Sequence, residues 1–212
     1  MSKTVAVIDY GMGNLHSIAK ALEHADADAR VDVTADPARI LAAGHVVFPG
    51  VGAIRDCMHE LESTGLREVV LRAAAERPFL GICLGMQAML GHSEENGGVA
   101  TLGLIPGEVR YFGDDLADAG GTRLKVPHMG WNQVAQVTHP LWAGIDDGTR
   151  FYFVHSYYAD PGDAAHRAGT SEYGRVFTAA VARDNLFGVQ FHPEKSQKAG
   201  LQLLANFLGW NG

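Results

Sequence analysis

The sequence predicts an α/β fold: an open, mixed and mainly parallel sheet of the flavodoxin-like type, with helices on both faces and antiparallel strands added in the C-terminal half. Two observations predict it. In roughly the first ninety residues, short runs rich in Val and Ile alternate with longer segments whose apolar residues recur at helical spacing. Beyond them, strand-like runs follow one another with short links, which is typical of antiparallel pairing. With 212 residues, the chain suits a single domain over residues 1–212.

The charge and the cysteine count exclude several classes of protein. The formal net charge is -7 and no block of Lys or Arg interrupts it, which argues against nucleic acid or an anionic membrane as a partner. Two cysteines do not make a disulfide framework. The N-terminus enters a strand directly, and no stretch approaches the roughly 20 apolar residues of a membrane span. We therefore expect a cytoplasmic protein.

The first predicted unit is a strand, a glycine-containing turn and a helix. The strand is Thr4–Asp9, and the helix begins at about Asn14, a good N-cap residue, because Leu15 and the apolar residues after it recur at helical spacing. A dinucleotide site is the alternative, since Asp32 could imitate its ribose-binding acid. His16 replaces the third glycine of that motif, so a tight turn is the favoured interpretation.

The same pattern of strands and helices continues to about residue 90. The further predicted strands are Val31–Thr34, His45–Phe48 and Phe79–Ile82, and the further predicted helices are Pro37–Ala42, Ala53–Leu61, Leu66–Ala75 and Leu84–Leu90. The loop Pro49–Gly52 carries two glycines directly after a strand. Its backbone N–H groups can face outward at the sheet edge, so this loop is a candidate oxyanion hole.

The second half is predicted to consist of short strands and one final helix. His92–Gly98 is expected to be a polar loop and Gly113–Lys125 a mobile one, and Asp184-Asn185 a hairpin turn. The final helix is Gln197–Leu208. The predicted strands are Glu108–Phe112, Val134–Val137, Phe151–Val154, Arg175–Ala182 and Leu186–Phe191.

Cys83 stands at the corner between a predicted strand and a predicted helix, flanked by Gly81 and Gly85. A residue on such a corner has an unfavourable backbone conformation, and the glycines leave room for the turn. At the start of a helix the sulfur lies near unpaired N–H groups, which favour the thiolate and make Cys83 a candidate nucleophile. The alternative is a small buried apolar residue beside tight-turn glycines.

His192 and Glu194 form the second candidate catalytic group. They lie two residues apart at the end of an extended run, so we expect both side chains on one face, with Pro193 keeping the backbone between them extended. A carboxylate beside an imidazole fixes its tautomer and stabilises its charged form. Alone, the pair suits a loop ion pair; together with Cys83 it suggests a Cys-His-Glu triad.

Two further classes of site are disfavoured. In α/β-hydrolases the acid precedes the histidine, whereas here the order is nucleophile, histidine, acid, which argues against an esterase. The ten histidines show no His-Glu-x-x-His pattern and the cysteines show no Cys-x-x-Cys pattern. We therefore expect neither a metal nor a cofactor.

The sequence around these candidates resembles a known family. Gly81–Gln87 together with His192–Glu194 is similar to the class I glutamine amidotransferases. In anthranilate-type members a His usually occupies the position of Met86, which favours the histidine-pathway branch. Three further stretches resemble the glutaminase subunits of imidazole glycerol phosphate synthase: Asp9–Asn14, Pro49–Ala53 and Val126–Asn132.

The resemblance implies roles for individual residues. Cys83 would attack the side-chain carboxamide of glutamine, His192 would move the protons, and Glu194 would hold His192. The other implied roles are oxyanion donors, substrate contacts and partner contacts. The oxyanion donors would be the backbone N–H groups of Leu84 and of Val51 or Gly52. The substrate contacts would be Gly52, Gln87 and Glu95, and the partner contacts would be Met129, Trp131 and Lys195.

The resemblance also implies a partner, because ammonia released into water would become ammonium. That partner is a (β/α)8 barrel cyclase subunit, which uses the ammonia to make imidazole glycerol phosphate and an aminoimidazole carboxamide ribotide. The alternative for Met129 and Trp131 is that they are ordinary core residues.

Two other functions remain possible at this point. A stand-alone cysteine hydrolase or chaperone of the PfpI/DJ-1 type shares the cysteine corner, but such proteins typically carry His directly after the cysteine, where this chain has Leu84. A non-enzymatic nucleotide-binding module would use Gly11–Asn14.

Overall fold

The structure is a computed structural model that describes residues 3–212. The helices are α1 (Leu15–Ala25), α2 (Pro37–Ala42), α3 (Ile54–Ser63), α4 (Leu66–Glu76), α5 (Leu84–Ala88) and α6 (Gln197–Gly209). The strands of the first half are β1 (Thr4–Ile8), β2 (Arg30–Thr34), β3 (His45–Gly50), β4 (Phe79–Cys83), β5 (His92–Ser93) and β6 (Val99–Ala100). Those of the second half are β7 (Gly107–Tyr111), β8 (His128–Gln133), β9 (Ala135–Gln136), β10 (Arg150–His155), β11 (Tyr157–Pro161), β12 (Arg167–Glu172), β13 (Val176–Arg183) and β14 (Leu186–Val189).

A parallel centre organises the main sheet. Its strands run in the order β2, β1, β3, β4, β14, and every neighbouring pair among them is parallel. The sheet continues from β14 through β13, β11 and β7 by antiparallel pairs, and β12 also pairs with β13. The open, mixed sheet predicted from the sequence is therefore confirmed. Because β14 lies beside β4, the residues that follow β14 come close to Cys83.

The helices cover both faces of this sheet. Along β1, Val5 and Val7 belong to one buried apolar cluster, and Ala6 and Ile8 belong to another. Since side chains alternate across a strand, the two clusters lie on opposite faces. Apolar residues of α1 and α6 pack in the first cluster, and those of α3 and α4 pack in the second. The layered arrangement follows from strands that are apolar on both sides.

The N-terminal predictions agree closely with the structure. The Asn14 side chain caps α1 by accepting a hydrogen bond from the Ser17 backbone N–H at 3.4 Å. Asp32, the possible ribose acid, instead forms an ion pair with Arg39. The helix after Cys83 is shorter than predicted, because α5 ends at Ala88.

The second half departs more from prediction. The hairpin at Asp184-Asn185 is present, since Arg183 pairs with Leu186. The predicted strand Val134–Val137 is wrong as a unit: β8 ends before Val134 and β9 holds only two residues. The strands β5, β6, β8, β11 and β12 were not predicted. In β12, for example, Arg167–Glu172 shows no apolar alternation, so its pairing with β13 determines its conformation.

Candidate active site

The corner at Cys83 has the strained backbone that the sequence predicts. Cys83 is the last residue of β4 and directly precedes α5, and its φ is 54° and ψ -111°. A positive φ is unfavourable for any residue with a Cβ, so the surrounding packing must hold it. The side chain is 8 % exposed and lines a cleft at this edge of the sheet, which leaves the sulfur accessible to a small ligand.

Close packing accounts for both glycines beside Cys83. A Cβ on Gly85 would collide with the carbonyl oxygen of Phe48 on β3. A Cβ on Gly81 would collide with Met89 Sδ and approach the Met86 backbone to 3.0 Å. The corner therefore rests directly on the neighbouring strand and on its own helix, with no room for side chains.

His192 follows β14, which pairs with β4 in parallel from Leu186 beside Phe79 to Val189 beside Ile82. Both strands end at the same edge of the sheet, so His192 and Cys83 line one cavity. The cavity has a volume of about 380 Å³. It is lined by Val51, Gly52, Cys83, Leu84, Gln87, Glu95, Pro127, Val154, His155, Ser156, Tyr157, His192 and Lys195.

Glu194 holds the imidazole of His192 from behind. His192 Nδ1 lies 2.8 Å from Glu194 Oε1, and both side chains are almost fully buried. The extended run predicted through these residues is wrong, because β14 ends at Val189 and Pro193–Lys195 forms a 3-10 turn. The turn, and not strand alternation, brings the carboxylate to the ring.

The charge of His192 follows from its neighbours. Burial by itself lowers the pKa of the imidazole, but Cys83 and Glu194 outweigh that effect and raise the pKa to about 10. Nε2 of the ring is buried and has no other hydrogen-bond partner in the described structure. A protonated imidazole with a free N–H beside a sulfur is the arrangement that activates a thiol and can donate a proton.

The candidate oxyanion loop lies directly beside this corner. Gly50, the last residue of β3, pairs with Cys83, so the loop that begins at Val51 and Gly52 lies next to Cys83. Leu84 is the first residue of α5, where its backbone N–H has no partner within the helix. Val51 and Leu84, the residues with the predicted oxyanion donors, both line the cavity.

A buried tyrosine fixes the start of that loop. Tyr10 is 1 % exposed and its hydroxyl donates to the carbonyl oxygen of Pro49 at 2.9 Å. The Cys57 thiol donates a hydrogen bond to the same hydroxyl oxygen, with Sγ at 3.6 Å. Burial raises the pKa of Cys57 to about 11, so this thiol stays neutral and supports Tyr10.

Gln87 points at the wall of the cavity. Its Nε2 donates to the Tyr157 carbonyl oxygen and to Gln190 Oε1, both at 3.0 Å. Both amide hydrogens are thus used, so Gln87 would have only its oxygen left for a substrate. Gln190 is fully buried, and its Nε2 donates a hydrogen bond to Cys83 Sγ at 3.7 Å.

Gln190, which lies beside the sulfur, was not predicted from the sequence. It lies two positions before His192, but a single Gln carries no pattern of its own, and only the pairing of β14 with β4 brings it to the sulfur. The cavity-lining residues His155, Ser156 and Tyr157 carried no recognisable signal, because only strand pairing brings them to the site.

Glu95 has a structural contact that the sequence did not suggest. Its Oε2 accepts a hydrogen bond from the Ile54 backbone N–H at 3.1 Å. That N–H is the first of α3, whose own N-cap residue, Ala53, provides no side-chain hydrogen bond. Glu95 therefore caps α3 and connects the start of that helix, directly after the candidate oxyanion loop, to the cavity wall.

The predicted partner residues lie on an exposed face beside the cavity. Met129 is 62 % exposed and Trp131 41 %, so the interpretation of both as core residues is wrong. Trp131 packs edge-on against Tyr152 across the β8–β10 pair, and Lys195 Nζ lies 5.8 Å from the centre of the Tyr152 ring. Of the predicted partner residues, Lys195 alone also lines the cavity. We define Met129, Trp131, Tyr152 and Lys195 as the aromatic face.

The whole chain has recognisable relatives. Residues 6–209 match the family described as "Glutamine amidotransferase class-I". The chain belongs to the class I glutamine amidotransferase family. A protein of Methylococcus capsulatus named "Imidazole glycerol phosphate synthase subunit HisH" is 66 % identical over 98 % of this chain and 96 % of its own length. "Imidazole glycerol phosphate synthase subunit HisH 1" of Pseudomonas aeruginosa is 61 % identical over 100 % of this chain and 99 % of its own length.

Solved structures of glutamine amidotransferases share this fold. A "crystal structure of glutamine amidotransferase" superposes with a TM-score of 0.71, at 14 % identity, over 97 % of this chain and 99 % of that one. A glutamine amidotransferase of Thermotoga maritima has a TM-score of 0.58, at 22 % identity, over 92 % of this chain and 77 % of that one. At these identities the likeness concerns the fold alone.

The family resemblance stated from the sequence is confirmed by these matches, and they give no support to a PfpI/DJ-1-type protein. Within residues 3–212, no group of three His, Cys, Asp or Glu side chains is arranged to hold a metal ion. None of the helices in that range is both long and apolar enough to cross a membrane.

Proposed function

We propose that this amidotransferase is the glutaminase subunit of an imidazole glycerol phosphate synthase, active in histidine biosynthesis. It hydrolyses glutamine to glutamate and ammonia. One observation carries the proposal: a strained cysteine corner shares its cavity with a Glu194-bound histidine, in a chain 66 % identical to a protein named as that subunit. We further propose that residues 1–212 form one class I amidotransferase domain.

The first chemical step forms a thioester. The Cys83 thiolate attacks the carboxamide carbon of glutamine, giving a tetrahedral oxyanion. The C–S bond is then complete, the C–N bond breaks, and ammonia leaves. His192 donates the proton that the leaving nitrogen needs, and its raised pKa of about 10 keeps it protonated for this role at neutral pH.

The second step releases glutamate. His192 is now neutral and accepts a proton from a water molecule, whose oxygen attacks the thioester carbon. The C–S bond breaks and the thiolate returns. Glu194 holds the ring in place through Nδ1 in both steps, so Nε2 remains the atom that exchanges protons.

Both steps pass through an oxyanion that needs hydrogen-bond donors. We assign the backbone N–H groups of Leu84 and Val51 to this task, and removal of one such donor costs about 3 to 4 kcal/mol of transition-state stabilisation. Gly52, Gln87 and Glu95 hold the substrate in this proposal. Glu95 has one oxygen on Ile54, and its other oxygen is available for the substrate's amino group.

The ammonia requires a covered route, since it would be protonated in bulk water. We propose a heterodimer with a (β/α)8 barrel cyclase subunit in the cytoplasm. The contact is made through Met129, Trp131 and Lys195 of the aromatic face. Exposed aromatic and Met side chains are enriched at protein interfaces, and Lys195 connects this face with the cavity.

A glutaminase assay tests the proposal. Glutamate formation from glutamine is measured with the chain alone and with the cyclase subunit and its nucleotide. We expect partner-dependent acceleration, and loss of turnover in Cys83→Ala. Cys57→Ser is the matched control, because it keeps a donor for Tyr10, and we expect it to remain within about threefold of wild type. Unchanged turnover in Cys83→Ala, or peptidase activity without a partner, would refute the proposal.

A further inference from the structure

Two buried histidines, one of which lines the cavity, form a pair that the proposed mechanism does not use. His128 on β8 and His155 on β10 are direct cross-strand neighbours, and they are 3 % and 6 % exposed. His128 Nδ1 lies 2.9 Å from His155 Nε2. Two imidazoles in such contact, removed from water, need a defined tautomer on each ring.

The neighbouring groups determine those tautomers. His155 Nδ1 lies 2.7 Å from the Tyr157 carbonyl oxygen, which can only accept, so Nδ1 of His155 carries the hydrogen. Nε2 of His155 is then an acceptor, and His128 Nδ1 must donate to it. Nε2 of His128 accepts in turn from the Asn132 side-chain amide at 3.4 Å. All donors therefore point toward Tyr157.

This direction of donation requires both rings to be neutral. A proton added to either ring would place a second donor against a donor. Burial supports the neutral state, because it lowers the pKa of His155 to about 3 and that of His128 to about 4.

The Tyr157 carbonyl oxygen connects the pair to the nucleophile. It also accepts from Gln87 Nε2 at 3.0 Å, so it is held between His155 and Gln87. Gln87 donates its other hydrogen to Gln190, whose own amide nitrogen lies 3.7 Å from Cys83 Sγ. The hydrogen bonds thus form one continuous path from β8 to the sulfur.

We propose that His155, supported by His128, is a positioning residue for the reaction: it fixes the Tyr157 carbonyl, and through Gln87 and Gln190 it directs an N–H donor at the Cys83 sulfur. The inference rests on the proposed glutaminase function only for its effect on turnover. Its effect on the sulfur itself can be measured without glutamine.

The Tyr157 carbonyl oxygen needs His155 as a second donor in addition to the Gln87 side-chain amide. With only one donor, the Tyr157 carbonyl group, at the first residue of β11, could tilt away, and Gln87 could turn toward other acceptors in the cavity. Gln190 would then lose the oxygen contact that orients its own amide. Its N–H would then no longer be aimed at the Cys83 sulfur.

Two substitutions at one position separate positioning from packing. His155→Phe keeps a flat ring of similar size and removes both nitrogens. His155→Asn is smaller, but its side-chain N–H can take the place of Nδ1 and donate to Tyr157. A purely structural role predicts that Asn is worse than Phe, because it leaves a cavity. A positioning role predicts the reverse order.

The experiment measures the alkylation rate of Cys83 by iodoacetamide at neutral pH in the isolated chain, and kcat for glutamine in the complex with the cyclase subunit. We expect His155→Phe to slow alkylation about threefold to tenfold and to lower kcat by at least as much. His155→Asn should recover most of both losses. His128→Phe, measured in the same way, should have a smaller effect of the same sign.

Control measurements keep the outcome decisive. Thermal unfolding identifies variants that do not fold, and if His155→Phe is among them, the comparison of His128→Phe with His128→Asn replaces it. Equal alkylation rates in the Phe and Asn variants, or Phe faster than Asn, would overturn the positioning role. If alkylation is slower in the Phe variant than in the Asn variant, but the wild-type protein has no glutaminase activity, the proposed function is rejected and this inference stands.

Discussion

The two halves of the chain contribute to the cavity in different ways. The first half supplies the cysteine corner from consecutive residues, in which the strand, the turn and the helix all lie between Phe79 and Ala88. The second half supplies His192 by way of a long excursion through antiparallel strands, after which β14 returns to pair with β4. The proposed nucleophile is thus specified locally, whereas the position of the proposed acid and base depends on the pairing of strands about a hundred residues apart.

The largest expected effect tests the contribution of the second half. His192→Ala removes both the proton donor and the proton acceptor, so we expect turnover to fall by about two to four orders of magnitude. His59→Ala, on the exposed side of α3, is the matched control and should leave turnover unchanged. Steady-state glutaminase kinetics provide the comparison. A loss below tenfold for His192→Ala would remove this residue from the mechanism.

The corner of the first half is tested next, through stability. Gly85→Ala places a methyl group against the Phe48 carbonyl oxygen, so we expect a loss of about 3 kcal/mol in the free energy of unfolding, or no folded protein. In Gly209→Ala, at the end of α6, the new methyl group would have no neighbour within 4 Å, and this control should be neutral or slightly stabilising. Equal stability of both variants in urea titrations would show that the corner tolerates side chains.

A smaller effect is expected at the carboxylate that holds His192, within the second half. Glu194→Gln keeps an acceptor for His192 but loses the carboxylate, so turnover should fall about tenfold to a hundredfold. The pKa of His192 is raised from 6.5 to about 10, so the native state retains a proton that the unfolded chain releases between these values. The resulting stabilisation is complete below pH 6.5 and is lost as pH rises to about 10.

Unfolding experiments at several pH values check this sign. The stability advantage of wild type over Glu194→Gln should be greatest near and below neutral pH and should shrink as the pH approaches about 10. An advantage that grows with pH would mean that His192 is neutral in the folded protein.

The smallest effect concerns the proposed oxyanion loop. Tyr10→Phe removes only the hydroxyl that holds the Pro49 carbonyl, and we expect kcat to fall about threefold to tenfold with little change in folding. Tyr111→Phe removes a hydroxyl that binds Asp114 outside the cavity and serves as the control. If both variants kept wild-type kcat, Tyr10 would be needed for packing alone.

The contrast between the halves also explains how much could be predicted. The strands and helices around Cys83 follow from periodicity, and its glycines follow from the steric needs of a tight corner. The spacing of His192 and Glu194 indicated a catalytic pair, yet the 3-10 turn that joins them was predicted as extended backbone. Local sequence describes a residue's neighbours along the chain, and it predicts a site well when those neighbours form it.

The parts that escaped prediction depend on long-range register. His155 meets His128 only because β10 pairs with β8, and the alternating apolar residues of β8, Met129 and Trp131, face outward, so they do not indicate a buried partner for His155. Gln190 reaches the sulfur only because β14 lies beside β4. Such contacts follow from the pairing of whole strands, and the residues themselves carry no pattern that would indicate them.

One measurement tests the central claim most directly, namely that Cys83 carries the reaction as a thioester. The complex with its cyclase subunit is quenched in acid during turnover of glutamine, and the digested chain is analysed by mass spectrometry. We predict a γ-glutamyl adduct on the peptide that contains Cys83 and none on the peptide that contains Cys57. Continued glutamate release by Cys83→Ala, with no adduct at position 83 in wild type, would contradict the account.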